Sequence, residues 1–510
     1  MKSGKVYLIG AGPGDPKLIT LRAVECIKAA DVLIYDYLAN KKFLEYGKPG
    51  AEIIYVGKMG GEHTLPQDKI NDLIVEKARS GKTVARLKGG DPYIFGRGGE
   101  EAEELVEAGV AFEVVPGVTA AAAATAYAGI PLTHRSFTTD VALITGHEDP
   151  TKTESSIKWD KIATGIGTLV FYMGVSNLPN IVENLIRYGR DPKTPVALIR
   201  WGSTTQQETL VGTLEDIVEK VKKAGMKAPA ITVVGGVVSL REKLRWFDKR
   251  PLFGKKVIVT RARVQSSDFT ELLEANGASV VEFPTIDIVP PDDWTELDKA
   301  IDRLSDYQWV IFTSVNGVKY FLQRLRERGR DVRDLKGIRL CTIGPRTAEE
   351  VEKLGIRVDF VPSEYKAEGI IEGLGKESLK GQKILIPRAE VAREVLPEEL
   401  KRLGAVVDVV DTYKTVRPVG DVEKVKQLFA DGKVDAVTFT SSSTVENFVS
   451  MFPDTDIKAL LNGVTVASIG PITKETAEKL GIRTDIMPKD YTIPALTEAL
   501  VDHFSRTVGV

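Results

Sequence analysis

The chain has 510 residues, enough for about three to four compact units of about 150 residues each. It is 43% hydrophobic and 27% charged with a net charge of −2, which is typical of a globular protein and provides no overall basic field for nucleic acid. No apolar run reaches the ~20 residues that span a bilayer, and the N-terminus is not typical of a signal peptide. We therefore expect a cytoplasmic protein.

Cysteines and histidines are few and widely spaced. Cys26 and Cys341 are interpreted as small core residues, because they fall in different predicted domains. The four histidines, His63, His134, His147 and His503, lack metal-ligand spacing. We expect a reducing compartment and no metal.

Short apolar runs typical of strands alternate with helical patterns. In the first half they are residues 6–9, 32–35, 84–87, 141–144, 169–172, 196–199 and 231–234. This alternation favours α/β layers with mostly parallel sheets.

Two glycine-rich turns each contain Gly-Asp-Pro. The first, residues 10–16, follows the run 6–9, and the second lies within residues 87–100. Both stand where a strand should end and a helix begin, and this is the edge at which open α/β sheets bind ligands. The pair predicts a cleft for a small, nucleotide-like molecule.

The first turn has only part of a dinucleotide-binding motif. It contains G-x-G, but Asp15 occupies the position of the third glycine. Asp36 follows the turn at about the separation in sequence that a ribose-binding acid would have. An acid facing a pyrophosphate would repel it. A nucleoside without phosphates, such as S-adenosylmethionine, fits better than NAD, which argues against an oxidoreductase.

The second half contains an internal duplication, which begins after a charged stretch that breaks near residues 241–254. Residues 310–321 match 437–448, residues 342–356 match 468–482, and residues 254–261 match 381–388, about 127 residues apart. The duplication predicts two similar α/β lobes with a cleft between them; the alternative is a duplicated scaffold with one inactive lobe. The proline-bounded segments 283–291 and 411–418 are interpreted as paired crossover strands.

Six blocks in the first half together resemble uroporphyrinogen-III C-methyltransferase. They are residues 10–16, 86–100, 115–120, 129–135, 170–174 and 228–235, and the resemblance covers about residues 1–248. It implies a two-lobed fold, with lobes of about 1–116 and 117–248. It also implies methylation of uroporphyrinogen III at C2 and C7 with S-adenosylmethionine to give precorrin-2, and a homodimer formed through this half.

The resemblance also implies which residues surround the cofactor. These are Pro13, Gly89, Gly90, Asp91, Ile94, Thr119, Ala120, Met173, Gly202 and Ala230. Glycine allows a close backbone approach, and methionine offers a soft surface to the ligand. The alternative for these positions is turn geometry alone.

Asp36 matches the family's proposed proton acceptor and Lys58 its proposed proton donor. A base that removes the pyrrole N–H proton would help methylation at a ring carbon. The alternatives are a helix N-cap for Asp36 and a substrate carboxylate contact for Lys58. Arg97, His134 and Arg135 are further candidates for holding the substrate's carboxylates.

The second half, about residues 252–510, resembles uroporphyrinogen-III synthase. The crossover segments predict interleaved lobes, one from about 254–284 plus 418–510 and the other from about 291–411. The resemblance implies closure of hydroxymethylbilane with inversion of the last pyrrole. Tyr413 matches the tyrosine proposed to assist loss of hydroxide; the alternative is a packed aromatic side chain. The candidate substrate-binding residues are Arg261, Arg263, Arg388, Thr313, Ser314, Thr440, Ser441, Ser442 and Thr473, and helix capping is the alternative for the hydroxyls.

The two resemblances predict a bifunctional enzyme of the siroheme or cobalamin branch. No dehydrogenase or chelatase segment precedes the first half, so we expect the product to be precorrin-2. The alternatives are a methyltransferase for a later corrin intermediate with a non-catalytic C-terminal half, and a tetrapyrrole-binding scaffold. Small molecules are the expected partners, with neither nucleic acid nor membrane.

Overall fold

The protein is described by a computed structural model over residues 4–57, 65–147, 156–261, 263–375, 378–392, 394–416 and 422–507, without the side chains of 263–267 and 507. The chain forms two compact units, residues up to 255 with 273–279, and residues 256–272 with those from 280 onward. In the described part, no helix combines the length and apolar character needed to cross a membrane.

The first unit opens with a five-stranded parallel sheet of strand order β3-β2-β4-β1-β5. Its strands are β1 (Lys5–Gly10), β2 (Val32–Tyr35), β3 (Glu52–Tyr55), β4 (Val84–Lys88) and β5 (Ala111–Val115). Apolar clusters cover both faces of this sheet, which is why β2 and β4 are buried along their whole length.

A second five-stranded sheet has the order β6-β7-β10-β8-β9. Its strands are β6 (Val141–Thr145), β7 (Thr168–Tyr172), β8 (Pro195–Arg200), β9 (Glu208–Thr213) and β10 (Ala230–Val234). The expectation of mostly parallel sheets is wrong here, because β10 runs antiparallel to β7 and β8, and β8 runs antiparallel to β9. A short loop joins β8 to β9, and so short a connection returns the chain antiparallel.

Helices surround both sheets. They are α1 (Leu21–Ala29), α2 (Gln67–Arg79), α3 (Gly98–Glu107), α4 (Ala120–Tyr127), α5 (Trp159–Gly165), α6 (Leu178–Arg187), α7 (Ile217–Ala224) and α8 (Arg241–Leu244), with 3-10 turns at Pro16–Leu18, Lys41–Tyr46 and Gly236–Leu240.

Two further sheets have the orders β12-β11-β18-β19 and β13-β17-β16-β14-β15. Their strands are β11 (Lys256–Val259), β12 (Ser279–Glu282), β13 (Asp287–Val289), β14 (Trp309–Phe312), β15 (Arg339–Thr342), β16 (Lys383–Ala389), β17 (Val406–Val416), β18 (Ala436–Phe439) and β19 (Thr465–Ser468). The predicted crossover segments do pair, because β13 lies antiparallel to the end of β17; residues 417 and 418 lie outside the described residues.

The helices that follow in the chain are α9 (Arg263–Ala275), α10 (Thr295–Asp302), α11 (Val315–Glu327), α12 (Pro345–Glu352), α13 (Ala367–Leu374), α14 (Val395–Arg402), α15 (Val422–Ala430), α16 (Ser442–Ser450), α17 (Ile457–Leu460), α18 (Pro471–Lys479) and α19 (Ile493–Thr507), with 3-10 turns at Leu304–Asp306 and Val332–Leu335.

The duplicated segments make the same local contacts. Ser314 caps α11 by accepting from the N–H three residues on, and Ser441 caps α16 in the same way. The glycine before α12 packs against Tyr365, and the glycine before α18 packs against Tyr491. The sequence repeat is therefore a structural repeat.

Candidate functional site

A cavity of about 840 Å³ lies between the two sheets of the first unit. It is bounded by the loops that follow β1, β2, β4, β7 and β8 and by the segment that enters β10. The carboxyl ends of strands therefore meet at one site, as expected for ligand binding by α/β sheets.

Nine of the ten predicted cofactor-binding residues line this cavity. They are Pro13, Gly89, Gly90, Ile94, Thr119, Ala120, Met173, Gly202 and Ala230. Asp91 is not among the described lining residues; its carboxylate accepts hydrogen bonds from the N–H groups of Tyr93 (2.8 Å) and Gly117 (3.0 Å). It therefore joins its own loop to the segment before α4.

Close backbone contacts explain the glycines at this edge. Gly12 and Gly90 exchange N–H···O bonds of 3.1 and 2.8 Å, and Gly90 has a φ of +73°. A Cβ at Gly10 would lie 2.4 Å from the nitrogen of Gly117. Side chains would thus hold these loops apart.

Three lining residues have strained backbones. Phe95, Met173 and Trp201 have φ values of +52°, +53° and +48°, which non-glycine residues rarely adopt. Such strain clusters at binding sites, where the surrounding structure holds it in place.

Aromatic residues that the sequence analysis missed also line the cavity. Tyr37 and Trp201 come from loops of different sheets, and their ring centroids are 5.8 Å apart. The Tyr172 hydroxyl lies 2.5 Å from the hydroxyl of Thr119 and accepts from the N–H of Ala121 at 3.0 Å. The only sequence signal for these residues is their position at or just after a strand end.

Charge in the described lining is sparse. Lys227 and His147 are the lining residues there that can carry positive charge, and none of the lining residues described is acidic. Asp15 also points elsewhere, since it accepts from the Lys17 N–H (2.8 Å) and from the Tyr127 hydroxyl (2.7 Å). Burial and this bond to Asp15 raise the pKa of Tyr127.

Asp36 lies next to the cavity but does not line it. One oxygen accepts from the Leu38 N–H at 3.1 Å, and the other pairs with Arg86 at 3.1 Å. It is not an N-cap, because the helical turn that follows is capped by Asn40. Lys58, the other predicted catalytic residue of this unit, lies outside the described residues.

The three predicted substrate-binding residues of this unit do not line the cavity. Arg97 is exposed and pairs with Glu100 at 2.6 Å, and this hydrogen bond raises the pKa of Arg97. The Nδ1 atom of His134 accepts from the Ser136 N–H at 3.2 Å, and Arg135 is exposed.

In the second unit the structure brings Tyr413 and Ser314 together. Their hydroxyls are 3.0 Å apart, and the Tyr413 ring stacks on Tyr320 with centroids separated by 6.0 Å. Tyr413 is only 8% exposed, so its ring is packed, which agrees with the alternative interpretation of a packed aromatic side chain. Its hydroxyl nevertheless contacts Ser314, another predicted residue.

The remaining predicted hydroxyls of this unit are partly used in local bonds. Ser441 caps α16, Ser442 accepts from Thr476 at 2.9 Å, and Thr473 is buried within α18. Thr313 and Thr440 are half-buried at the ends of β14 and β18.

Arginines stand at the strand ends as predicted. Arg388 is buried on β16 and pairs with Glu394. Burial, and secondly the nearby Arg346, lower the pKa of Arg261. Arg261 follows β11, and Arg346 lies in the first turn of α12. The side chain of Arg263 lies outside the described residues.

Comparison with known proteins assigns a class to each half. A family model of tetrapyrrole (corrin/porphyrin) methylases matches residues 5–218, and one of uroporphyrinogen-III synthase HemD matches residues 267–498. A "porphyrin biosynthesis protein HemD" of Ruminiclostridium josui is 38% identical over 98% of both chains. A uroporphyrinogen-III C-methyltransferase of Bacillus subtilis (strain 168) is 41% identical, over 71% of this chain and 74% of the relative.

Solved structures also match each half. A Thermus thermophilus uroporphyrin-III C-methyltransferase complexed with S-adenosylhomocysteine is 40% identical, with a TM-score of 0.40, and the match covers 46% of this chain and all of that one. A mutant uroporphyrinogen III synthase of Thermus thermophilus is 18% identical, with a TM-score of 0.37, and the match covers 50% of this chain and 98% of that one. The chain belongs to the family of porphyrin biosynthesis proteins in which a tetrapyrrole methylase is followed by a uroporphyrinogen-III synthase.

Proposed function

We propose that this chain catalyses two consecutive steps of tetrapyrrole biosynthesis. The second half closes hydroxymethylbilane to uroporphyrinogen III, and the first half methylates that product at C2 and C7 to give precorrin-2. The observation that carries the proposal is the cavity of the first unit, which gathers nine of the ten residues expected around S-adenosylmethionine.

The lining residues fit this cofactor. The cavity volume of about 840 Å³ lies within the range of small-molecule sites. Glycine backbones and aromatic rings suit an uncharged adenosine, and the sparse cationic lining suits a ligand without phosphates. When bound, S-adenosylmethionine supplies an electrophilic methyl group.

Methylation also needs a proton acceptor and residues that bind the substrate. Asp36, beside the cavity edge, accepts the pyrrole N–H proton in this proposal, which releases electron density to the ring carbon. Lys58 is the proposed proton donor. Arg97, His134 and Arg135 stand outside the cofactor cavity and bind carboxylates of the larger substrate.

Ring closure needs control of a departing hydroxide and of geometry. In the proposal Tyr413 donates its hydroxyl hydrogen to the leaving oxygen, and the 3.0 Å contact with Ser314 supports this by orienting the phenol. The substrate carboxylates contact the strand-end arginines Arg261, Arg263 and Arg388 and the hydroxyls of Thr313, Thr440, Ser441, Ser442 and Thr473.

We also propose the domain limits 1–248 and 252–510, a homodimer formed through the first half, and a cytoplasmic location. The limits place the tetrapyrrole methylase match in one domain and the synthase match in the other.

Analytical ultracentrifugation tests the proposed homodimer. A monomer at micromolar protein concentration would contradict it.

One assay tests both activities. Hydroxymethylbilane alone should yield the type III ring, and added labelled S-adenosylmethionine should yield a doubly methylated, chlorin-like product identified by mass. Formation of only the type I ring would refute the synthase activity. Methylation of a later corrin intermediate but not of uroporphyrinogen III would instead favour the alternative substrate.

A further inference from the structure

A buried arginine lies behind Asp36. Arg86, on β4, has a side chain that is 3% exposed. Its Nη2 donates to Asp36 Oδ2 at 3.1 Å, its Nε to Glu101 Oε1 at 3.3 Å and its Nη1 to the Leu87 carbonyl at 2.9 Å. Each nitrogen of the guanidinium has a partner, so its plane is fixed.

Glu101, on α3, anchors that arginine. Its side chain is fully buried, and Oε1 also accepts from Lys88 Nζ at 2.6 Å and from Gln67 Nε2 at 3.2 Å. Oε2 has no hydrogen-bond partner in the part of the chain that the structure describes. A buried carboxylate is costly unless cations compensate it, and here Arg86 and Lys88 do so.

The network ends at a half-buried carboxylate. The side chain of Asp36 is 27% exposed, and its second oxygen is held by the Leu38 N–H. Both oxygens are therefore fixed from the protein side, while part of the group stays open. The next residue, Tyr37, already lines the cavity.

We propose that Arg86, anchored by Glu101, is a positioning residue for methyl transfer because it fixes the orientation of the Asp36 carboxylate. The inference rests on the proposed role of Asp36 as proton acceptor. A reacting group displaced by about 1 Å loses about 100-fold in rate, so a mobile Asp36 would slow the reaction without weakening cofactor binding.

The first measurement compares Arg86→Lys with the wild type in the full-length protein. We expect kcat for methylation of uroporphyrinogen III to fall about 10-fold to 100-fold. KM for S-adenosylmethionine and Kd for S-adenosylhomocysteine should stay within about twofold, because Arg86 does not line the cavity. Arg86→Met, which removes the charge, should be slower still.

Arg190→Lys is the matched control. Arg190 is a partly buried arginine that donates to the carbonyls of Ala163, Ile166 and Gly167, away from the cavity. Its replacement should lower the melting temperature with kcat unchanged. An equal loss of kcat in this control would mean that Arg86 is merely structural.

A double-mutant cycle with Asp36→Asn decides whether the two residues act together. If Arg86 acts through Asp36, adding Arg86→Lys to Asp36→Asn should cost no more than about a further twofold. If the losses of kcat of the two single variants multiply in the double variant, or if Arg86→Lys keeps the wild-type kcat, the positioning role of Arg86 is refuted. The proposed role of Asp36 is not affected by either result. A wild-type kcat for Asp36→Asn would instead refute the proposed role of Asp36 as the base.

A second variant is available if Arg86→Lys does not fold. Glu101→Gln keeps the side-chain shape and should also lower kcat without changing cofactor binding. Full activity of this variant would refute the inference.

Discussion

Tyr413 combines a packed ring with a hydroxyl that contacts another polar group of the proposed site. Its neighbour Tyr320 stacks on it but donates its own hydroxyl to the Ile288 carbonyl at 2.8 Å. Arg86 and Asp36 are a similar pair, since the side chain of Arg86 is buried and that of Asp36 is partly exposed. At the residue scale, the proposed chemistry depends on polar groups held by neighbours that are themselves fixed.

Replacing Tyr413 by Phe removes the hydroxyl and keeps the packed ring. We expect the rate of type III ring formation from hydroxymethylbilane to fall about 100-fold or more, because assistance to the leaving group is lost. Chromatographic separation of type I and type III products measures this. Tyr320→Phe is the control and should stay near the wild-type rate; equal losses in both variants would assign Tyr413 a packing role.

Burial raises the pKa of Cys341 to about 12, from an ordinary value near 9. Between these values the unfolded chain releases a proton that the folded chain keeps, so the free energy of unfolding falls as pH rises. Urea unfolding from about pH 8 to about pH 10.5 should show a steeper loss for the wild type than for Cys341→Ala. Parallel pH profiles would contradict this.

Three chain segments meet at the cavity edge: the loop after β1, the loop after β4 and the segment before α4. A Cβ at Gly117 would lie 2.4 Å from the carbonyl oxygen of Gly90 and 2.7 Å from the Cα of Gly10. At the element scale, the site exists because these segments approach at backbone distance.

Gly117→Ala should therefore be destabilising. Backbone atoms cannot yield as a flexible side chain can, so we expect a loss of about 1–3 kcal/mol, seen as a lower melting temperature in calorimetry. Gly99→Ala in α3 is the control. A Cβ there meets nothing within 4 Å, and alanine should be neutral or stabilising. A larger loss for Gly99→Ala would contradict the close-contact explanation.

At the scale of the whole molecule, the chain contains two compact units, and the residues proposed for methylation and for ring closure belong to different ones. Asp36→Asn should slow methylation strongly and leave type III ring formation from hydroxymethylbilane unchanged. Quantifying both products in one reaction tests this independence. Loss of ring closure in this variant would show that the two activities are coupled.

Much of the fold follows from local sequence signals. Each of the strand runs predicted in the first half lies within a strand. Most of these strands are largely buried, and strands buried on both faces are continuous apolar stretches. The run 141–144 is the exception, because β6 is partly exposed. The antiparallel course of β10 did not follow, because an apolar run carries no information about strand direction. The duplicated capping serines and helix-preceding glycines could be recognised in the sequence, because each recurs at a fixed spacing.

By itself, the sequence determined the glycine-rich turns, the duplication and the family, because these depend on residue types at fixed separations along the chain. Only the tertiary structure decided that the Asp91 carboxylate accepts from the Gly117 N–H, that Tyr37 contacts Trp201, and that Arg86 links Asp36 to Glu101. These contacts join residues up to 164 positions apart, and the packing of separate sheets and helices, which no local pattern encodes, sets them.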